Sequence, residues 1–116
     1  MENWVLFKTL KLKDIYVSNF GNVKSMTKSG IEKILSQYHR GGKRSQYLCF
    51  GYRDENNNKI LINTHVAVAL LFIGDKPDSN YQVDHIDNNP KNNHYQNLRW
   101  ITAEENGKKG SSIINS

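Results

Sequence analysis

Four residues with the chemistry of a metal-dependent hydrolase lie at fixed spacing in the C-terminal half of the chain. Asp84 and His85 are adjacent, Asn97 follows within the same stretch, and Asn106 lies 22 residues after Asp84. Carboxylate and amide oxygens are ligands of hard divalent cations, and a neutral imidazole can accept a proton from water near neutral pH. This combination is typical of a one-metal phosphodiesterase.

Hydrolysis of a phosphodiester needs a base for water, neutralisation of the phosphate oxygens and stabilisation of the leaving oxygen. We predict that Asp84 and Asn106 hold one cation and that His85 activates the water. Mg²⁺ suits a site with few protein oxygens because it keeps several waters for substrate to replace, and Mn²⁺ would serve the same role. Asn97 is predicted to pin the loop or to orient His85 through its backbone. Because adjacent strand residues point to opposite faces, we expect an irregular strand end at Asp84 and His85.

The elements that carry these residues are predicted from the local pattern. Residues 81–85 and 98–101 read as strands that flank an Asn-rich loop. The sequence Thr102-Ala103-Glu104-Glu105 is a capping-box pattern, which predicts a helix that starts at Thr102 and carries Asn106 in its early turns. The C-terminal unit is therefore a strand–loop–strand–helix.

The first half of the chain is predicted to form small antiparallel hairpins. Residues 27–45 are polar and basic and are predicted to be a mobile loop or a wide hairpin. The apolar run 64–73 is predicted to be a buried helix capped by Asn63 or Thr64, ended by Gly74, that joins the two halves. The predicted strands are 15–18, 23–26, 46–53 and 59–62, with turns at 19–22 and 54–58. The fold class is α+β.

The positive charge is concentrated in the N-terminal half. The net charge is +5, but residues 1–63 carry 11 Lys/Arg against 5 Asp/Glu, whereas residues 64–116 carry 5 against 6. This asymmetry favours a division of labour in which the β-rich residues 1–63 hold a polyanion and residues 64–116, with the bridging helix, place a cation on it. The candidate contacts to DNA phosphates are Lys24, Lys28, Arg40, Lys43, Arg44 and Arg99, and Arg99 could instead pair with an acid.

Composition argues against several other classes. Cys49 is the single cysteine, so no disulfide framework or cysteine-based zinc site is expected, and it is predicted to be buried. No apolar run is long enough to span a bilayer, no signal peptide is apparent, and a reducing cytoplasm is expected. A calcium loop from Asp87 lacks the required Gly at Asn92 and the required Glu at Leu98. His65 is predicted to be a helix-start residue or to form a hydrogen bond between the two halves, rather than to bind metal.

The pattern Val83-Asp84-His85-Ile86-Asp87-Asn88-Asn89, followed by Asn97-Leu98-Arg99-Trp100-Ile101-Thr102 and Glu105-Asn106, resembles the ββα-metal motif of HNH homing endonucleases from phages and mobile introns. The resemblance implies that His85 is the general base, Asn97 is structural, and Asn106 and Asp84 bind metal. The stretch from Tyr16 to Ser25 resembles the small DNA-contacting module that often precedes such units. Asn88 stands where that family usually has Gly, and no C-terminal helix-turn-helix follows Asn106.

The resulting prediction is a Mg²⁺-dependent HNH endonuclease acting on double-stranded DNA, encoded by a phage or mobile element and working in the cytoplasm of a bacterial host. With one site per chain, a monomer or weak dimer should nick and leave a 5′-phosphate and a 3′-hydroxyl. Two alternatives stay open. One is a DNA-binding regulator that does not cleave, and the other is a phage accessory protein that binds a host protein.

Overall fold

The computed structural model describes residues 1–39 and 46–107 as nine strands, one α-helix, a 3₁₀ helix (Tyr95–Asn97) and a short C-terminal helical segment. The strands are β1 (Trp4–Thr9), β2 (Lys13–Ser18), β3 (Val23–Thr27), β4 (Glu32–Ile34), β5 (Tyr38–His39), β6 (Leu48–Arg53), β7 (Lys59–Asn63), β8 (Tyr81–His85) and β9 (Leu98–Thr102). The helix α1 (Thr64–Phe72) follows β7 directly. The predicted α+β class is confirmed.

The N-terminal strands form two antiparallel sheets, in the orders β1-β2-β3-β4 and β5-β6-β7. In β2 the alternate residues Ile15 and Val17 are fully buried, as is Val23 at the start of β3. This alternation of apolar residues places one face of the sheet on the core. The turn between β2 and β3 contains Gly21 with φ +87°, a conformation that side-chain-bearing residues rarely adopt.

The prediction of a loop or wide hairpin over 27–45 needs a correction. Glu32–Ile34 pairs with β3 as an edge strand, and Tyr38–His39 pairs with β6 in the second sheet. Both strands are exposed, so they carry no alternation of apolar and polar residues that the sequence could reveal. Backbone pairing alone defines them. Residues 40–45 lie outside the described part of the chain.

Helix α1 is buried and joins the sheets to the C-terminal unit. Ala67, Val68 and Ala69 are fully buried. Asn63 is the N-cap without a side-chain capping bond, and the chain leaves the helix at Gly74. The main core cluster draws on both halves of the chain: Leu10, Ile15, Val17, Val23, Phe50, Ala67, Val68 and Leu98. Cys49 is buried beside it, as predicted.

The C-terminal unit is a β8–β9 hairpin followed by helical residues 103–107. The backbone N–H of Glu105 donates to Thr102 Oγ1 at 3.1 Å, which is the predicted N-cap contact. No helix within residues 1–39 and 46–107 is long and apolar enough to cross a bilayer.

Candidate active site

His85 ends strand β8 and is held by an asparagine from the following loop. Its Nε2 lies 2.8 Å from Asn93 Oδ1, and both side chains are buried. An amide oxygen only accepts hydrogen bonds, so Nε2 must carry the hydrogen. In the neutral ring the proton-accepting nitrogen is then Nδ1. The contact thus fixes the tautomer that a general base would use.

Asp84 is paired with Arg99 on the neighbouring strand. The two residues are directly opposite in the β8–β9 register, and Arg99 Nε donates to Asp84 Oδ2 at 2.9 Å. The Asp84 side chain is 6% exposed, whereas that of Arg99 is 51% exposed. The guanidinium therefore provides a charged hydrogen-bond donor to a nearly buried carboxyl group.

The expected irregular strand end is not observed. Asp84 pairs with Arg99 and His85 with Leu98 in consecutive, unshifted register. Adjacent side chains of a regular strand leave on opposite faces. The irregular backbone begins after β8, where Ile86 N–H bonds to Asn97 O and Asn88 has φ +63°.

Asn97 links the two ends of the loop between β8 and β9 through side-chain hydrogen bonds. Its Oδ1 accepts from Asp87 N–H at 3.0 Å, and its Nδ2 donates to Asp87 Oδ1 at 2.8 Å and to the Asn92 carbonyl at 2.9 Å. Of the two roles predicted for Asn97, these contacts match loop pinning. They act on Asp87 rather than on the backbone of His85.

The loop is rich in asparagine because amides complete the hydrogen bonds of its turns. Asp87 accepts from Asn92 Nδ2, from Asn89 N–H and from Asn97 Nδ2. These donors lower the pKa of the Asp87 carboxyl below its ordinary value. Asn88 adopts positive φ where the related family usually has Gly, a conformation that Asn tolerates better than most residues.

His65 at the start of α1 packs against the same site. Its ring centroid lies 5.1 Å from that of His85 and 4.7 Å from that of Tyr47. Burial, aided by the nearby His85, lowers the pKa of His65 to about 4, so this ring is neutral at physiological pH. Its Nδ1 is buried without a hydrogen-bond partner among the described residues, and of the two roles predicted for His65 the structure has the position at the helix start.

Asn106 lines a cavity of about 290 Å³ next to this group of rings. The cavity lies between α1, the β8–β9 hairpin and the C-terminal helical residues, and His65, Val83 and Trp100 also line it. The structure therefore brings Asn106 to the same cavity as His65, which contacts His85.

Comparison with known proteins identifies this arrangement. Residues 63–108 match the sequence profile of the family described as HNH endonuclease. Two uncharacterised HNH endonucleases of Acanthamoeba polyphaga mimivirus are 44% identical over 91 residues and 40% identical over 60 residues. The solved structure titled DNA binding and cleavage by the HNH homing endonuclease I-HmuI matches 98% of this chain with a TM-score of 0.75 and 30% identity. Residues 63–108 belong to the HNH endonuclease family.

The family resemblance inferred from the sequence is thereby confirmed, and the match over nearly the whole chain includes the N-terminal sheets. The match to the first mimivirus protein covers 78% of this HNH chain but only 21% of that relative. The match to the second covers 52% of this chain and 18% of the relative. It covers 60% of the solved structure.

A divalent cation fits the donor chemistry of the HNH unit. Asp84 offers a nearly buried carboxylate and Asn106 a half-buried amide. Among the residues that the structure describes, no three His, Cys, Asp or Glu side chains group as metal ligands. A site with two protein oxygens would leave most ligand positions to water and substrate, which is the preference of Mg²⁺.

The cations predicted to contact DNA have varied surroundings in this HNH chain. Lys24 forms an ion pair with Glu32 and lies over the Trp4 ring at 4.4 Å. Lys28 pairs with Asp14 at 3.2 Å. Arg99 pairs with Asp84, as one of its two predicted roles required. Arg40, Lys43 and Arg44 lie outside the described residues.

A different set of cations converges on a groove between the two N-terminal sheets. The groove has a volume of about 410 Å³, and Lys13, Lys33, Arg53 and Lys59 line it without any Asp or Glu. We call this the basic groove. Sequence reasoning missed it because its cations lie far apart along the chain, on β2, β4, β6 and β7. Only the cross-strand pairing of Arg53 with Lys59 could have signalled it.

Proposed function

We propose that this chain is a metal-dependent DNA endonuclease in which His85 is the general base. The observation that carries the proposal is the 2.8 Å contact between His85 Nε2 and Asn93 Oδ1, because it leaves Nδ1 as the nitrogen that accepts a proton. Family membership supports the reaction class, and the spacing of Asp84 and Asn106 supports a cation between hairpin and helix.

In the proposed reaction, His85 Nδ1 takes a proton from water as the water oxygen attacks phosphorus. The bond from phosphorus to the 3′ oxygen breaks, which leaves a 5′-phosphate and, after protonation, a 3′-hydroxyl. Asp84 and Asn106 would hold one divalent cation, with Mg²⁺ preferred. When bound, this cation supplies charge neutralisation at the phosphate and stabilisation of the leaving oxygen.

The partner in this proposal is double-stranded DNA, and the described residues form one such site, so a monomer should nick one strand. The basic groove and the predicted cations Lys24, Lys28, Arg40, Lys43, Arg44 and Arg99 are the candidates for phosphate contacts. We propose the same setting as the sequence predicts, a phage or mobile-element protein in the cytoplasm of a bacterial host.

The test is incubation of purified protein with supercoiled plasmid in Mg²⁺, Mn²⁺ or EDTA, followed by DNA ligase. We expect open circles with Mg²⁺ or Mn²⁺ and none with EDTA. Because DNA ligase seals only nicks with a 5′-phosphate and a 3′-hydroxyl, it should restore closed circles. Nicks that the ligase cannot seal would contradict the proposed bond cleavage.

A non-cleaving DNA-binding regulator is the second candidate, and the Asp84–Arg99 ion pair favours it, since Arg99 already neutralises the predicted metal ligand. Salt-sensitive DNA retardation by folded protein, without nicking in any metal, would support this candidate. A protein-binding accessory role would instead show tight capture of a protein partner and weak DNA affinity.

A further inference from the structure

The turn between β2 and β3 in the N-terminal sheet packs directly on the loop that holds His85. A Cβ built on Gly21 would lie 2.8 Å from Asn93 Cβ and 3.0 Å from Asn93 O. Real Cβ atoms do not approach other atoms so closely, so only glycine permits this contact. The required φ of +87° excludes most other residues as well.

Two further contacts join the same turn to the same loop. Tyr95 N–H donates to the Asn19 carbonyl at 2.9 Å. The ring of Phe20 stacks on that of His94 with centroids 5.0 Å apart. Three consecutive residues of the turn thus contact three consecutive residues of the loop, so the turn fixes the loop on both sides of His94.

The turn is itself anchored to α1. Gln37 Nε2 donates to the Gly21 carbonyl at 2.9 Å, and Gln37 Oε1 accepts from Thr64 Oγ1 at 2.6 Å. Thr64 is fully buried at the first position of the helix. The position of Gly21 is therefore set by the packed core rather than by the turn alone.

Stability does not explain why an asparagine occupies the buried position 93. Its side chain is buried, yet its Nδ2 has no hydrogen-bond partner among the residues that the structure describes. A buried unpaired amide is costly, and each such group in a native protein calls for an explanation such as a catalytic role, local strain or a bound water or ion. The other end of the amide makes the contact that fixes the His85 tautomer.

We propose that Asn93 is a positioning residue for His85 and that the Asn19–Asn22 turn holds Asn93 in place. The N-terminal module is then part of the catalytic machinery as well as a candidate DNA anchor. This inference rests on the proposed function, since it takes His85 as the general base. It assigns roles to Gly21 and Asn93, which the Asp84, His85, Asn97 and Asn106 pattern leaves out.

The first test replaces Asn93 by leucine, which has a similar shape but no acceptor, and by aspartate, which keeps the acceptor oxygen. We expect Asn93→Leu to lower the plasmid-nicking rate at saturating enzyme roughly 10- to 100-fold, the range typical of lost support for a functional side chain. The half-saturating enzyme concentration and the Tm should change little. Asn93→Asp should recover part of the rate. Wild-type rates for Asn93→Leu would overturn the inference.

The second test compares Gly21→Ala with Gly30→Ala in the full chain. Gly30 has φ +94°, close to that of Gly21, but a Cβ there would meet nothing within 4 Å. Both variants carry similar backbone strain, so the extra loss of rate in Gly21→Ala reports the contact with Asn93. We expect a loss of about tenfold or more for Gly21→Ala and none for Gly30→Ala. Equal rates for the two folded variants would contradict the inference.

The third test needs no activity. In ¹⁵N-histidine NMR, with the His85 signals assigned by His85→Ala, the wild-type ring should show hydrogen on Nε2. Asn93→Leu should shift the ring toward a mixture of tautomers, and an unchanged signal would overturn the inference. If His85→Ala nicks like wild type, the proposed function fails. If it is inactive while Asn93→Leu and Gly21→Ala are fully active, only the positioning role fails.

Discussion

Arg99 lies directly across the β8–β9 hairpin from Asp84 and binds its carboxylate through Nε at 2.9 Å. The predicted metal ligand is therefore already neutralised by a cation when no metal is bound. Any divalent cation at Asp84 must share the carboxylate with the guanidinium or displace it. This relationship makes Arg99 a determinant of both stability and metal affinity.

Replacement of Arg99 by glutamine should separate these two effects. We expect a loss of roughly 1–3 kcal/mol of stability in EDTA, because a nearly buried carboxylate loses its charged hydrogen-bond donor. The half-saturating Mg²⁺ concentration should fall, since one positive charge beside the cation is removed. Thermal unfolding in EDTA and over a Mg²⁺ titration measures both quantities. Weaker Mg²⁺ binding would show that Arg99 instead helps to build the cation site.

His65 should make stability depend on pH in the mildly acidic range. Its pKa falls from 6.5 to about 4 on folding, so the unfolded chain binds a proton more readily than the folded protein. The stabilisation is fully present above pH 6.5 and is lost as pH falls toward 4, at up to about 1.4 kcal/mol per pH unit. His65→Phe should flatten this part of the curve of unfolding free energy against pH. If the slope is unchanged in the variant, groups other than His65 cause this pH dependence of the unfolding free energy.

Asp87 should also make the protein less stable as the pH falls, but in a lower pH range than His65. Hydrogen bonds from Asn92, Asn89 and Asn97 lower its pKa from 3.8, so its contribution is complete above that value and disappears as the carboxylate is protonated below it. Asp87→Asn should reduce the Tm at pH 7 and narrow the difference in Tm between pH 7 and pH 3. Asp78→Asn, in the exposed loop before β8, is the matched control. Identical pH responses for the two variants would argue against the loop network as the cause.

We expect the cations of the basic groove to contribute more to DNA binding than Lys24 and Lys28, which already form ion pairs. Arg53 and Lys59 are directly opposite on β6 and β7, an arrangement of like charges that favours an anionic ligand. If the groove binds phosphates, the plot of log affinity against log salt has a negative slope, and the triple variant Lys13→Gln, Lys33→Gln and Lys59→Gln should make it shallower by about 2.7. DNA retardation across a salt series measures the slope.

The control for this experiment is the double variant Lys24→Gln and Lys28→Gln. Both lysines already pair with carboxylates, so they release fewer counterions on binding and should change the slope less per residue than the groove lysines. If the control changed the salt slope more per residue than the groove variant, Lys24 and Lys28 would be the main DNA contacts. That result would exclude the basic groove as the phosphate-binding surface.

The sequence predicted the C-terminal unit well because its signals are local. The β8 strand, the Asn-rich loop, the β9 strand and the Thr102 cap each depend on a short window, and the spacing of Asp84, His85, Asn97 and Asn106 carries the family resemblance. The short strands β4 and β5 were missed because exposed edge strands need only backbone pairing. Their partners are defined by the tertiary fold and not by the local sequence.

The supporting residues could not be predicted for a different reason. Asn93 is one of several asparagines in its loop, and only the three-dimensional contact with His85 distinguishes it. Gly21 read as an ordinary turn residue, and its close approach to Asn93 joins positions more than 70 residues apart. Likewise, the basic groove assembles cations from four strands. Long-range packing created each of these features.

The central claim, that His85 is the base of a metal-dependent nuclease, is tested most directly by nicking of supercoiled plasmid in Mg²⁺ by wild type and His85→Ala. His39→Ala is the matched control, since His39 is exposed on β5 and has no proposed role in catalysis or in holding the loop. We predict open circles with wild type and His39→Ala, and a loss of at least about 100-fold with folded His85→Ala. Undiminished nicking by His85→Ala would contradict the account.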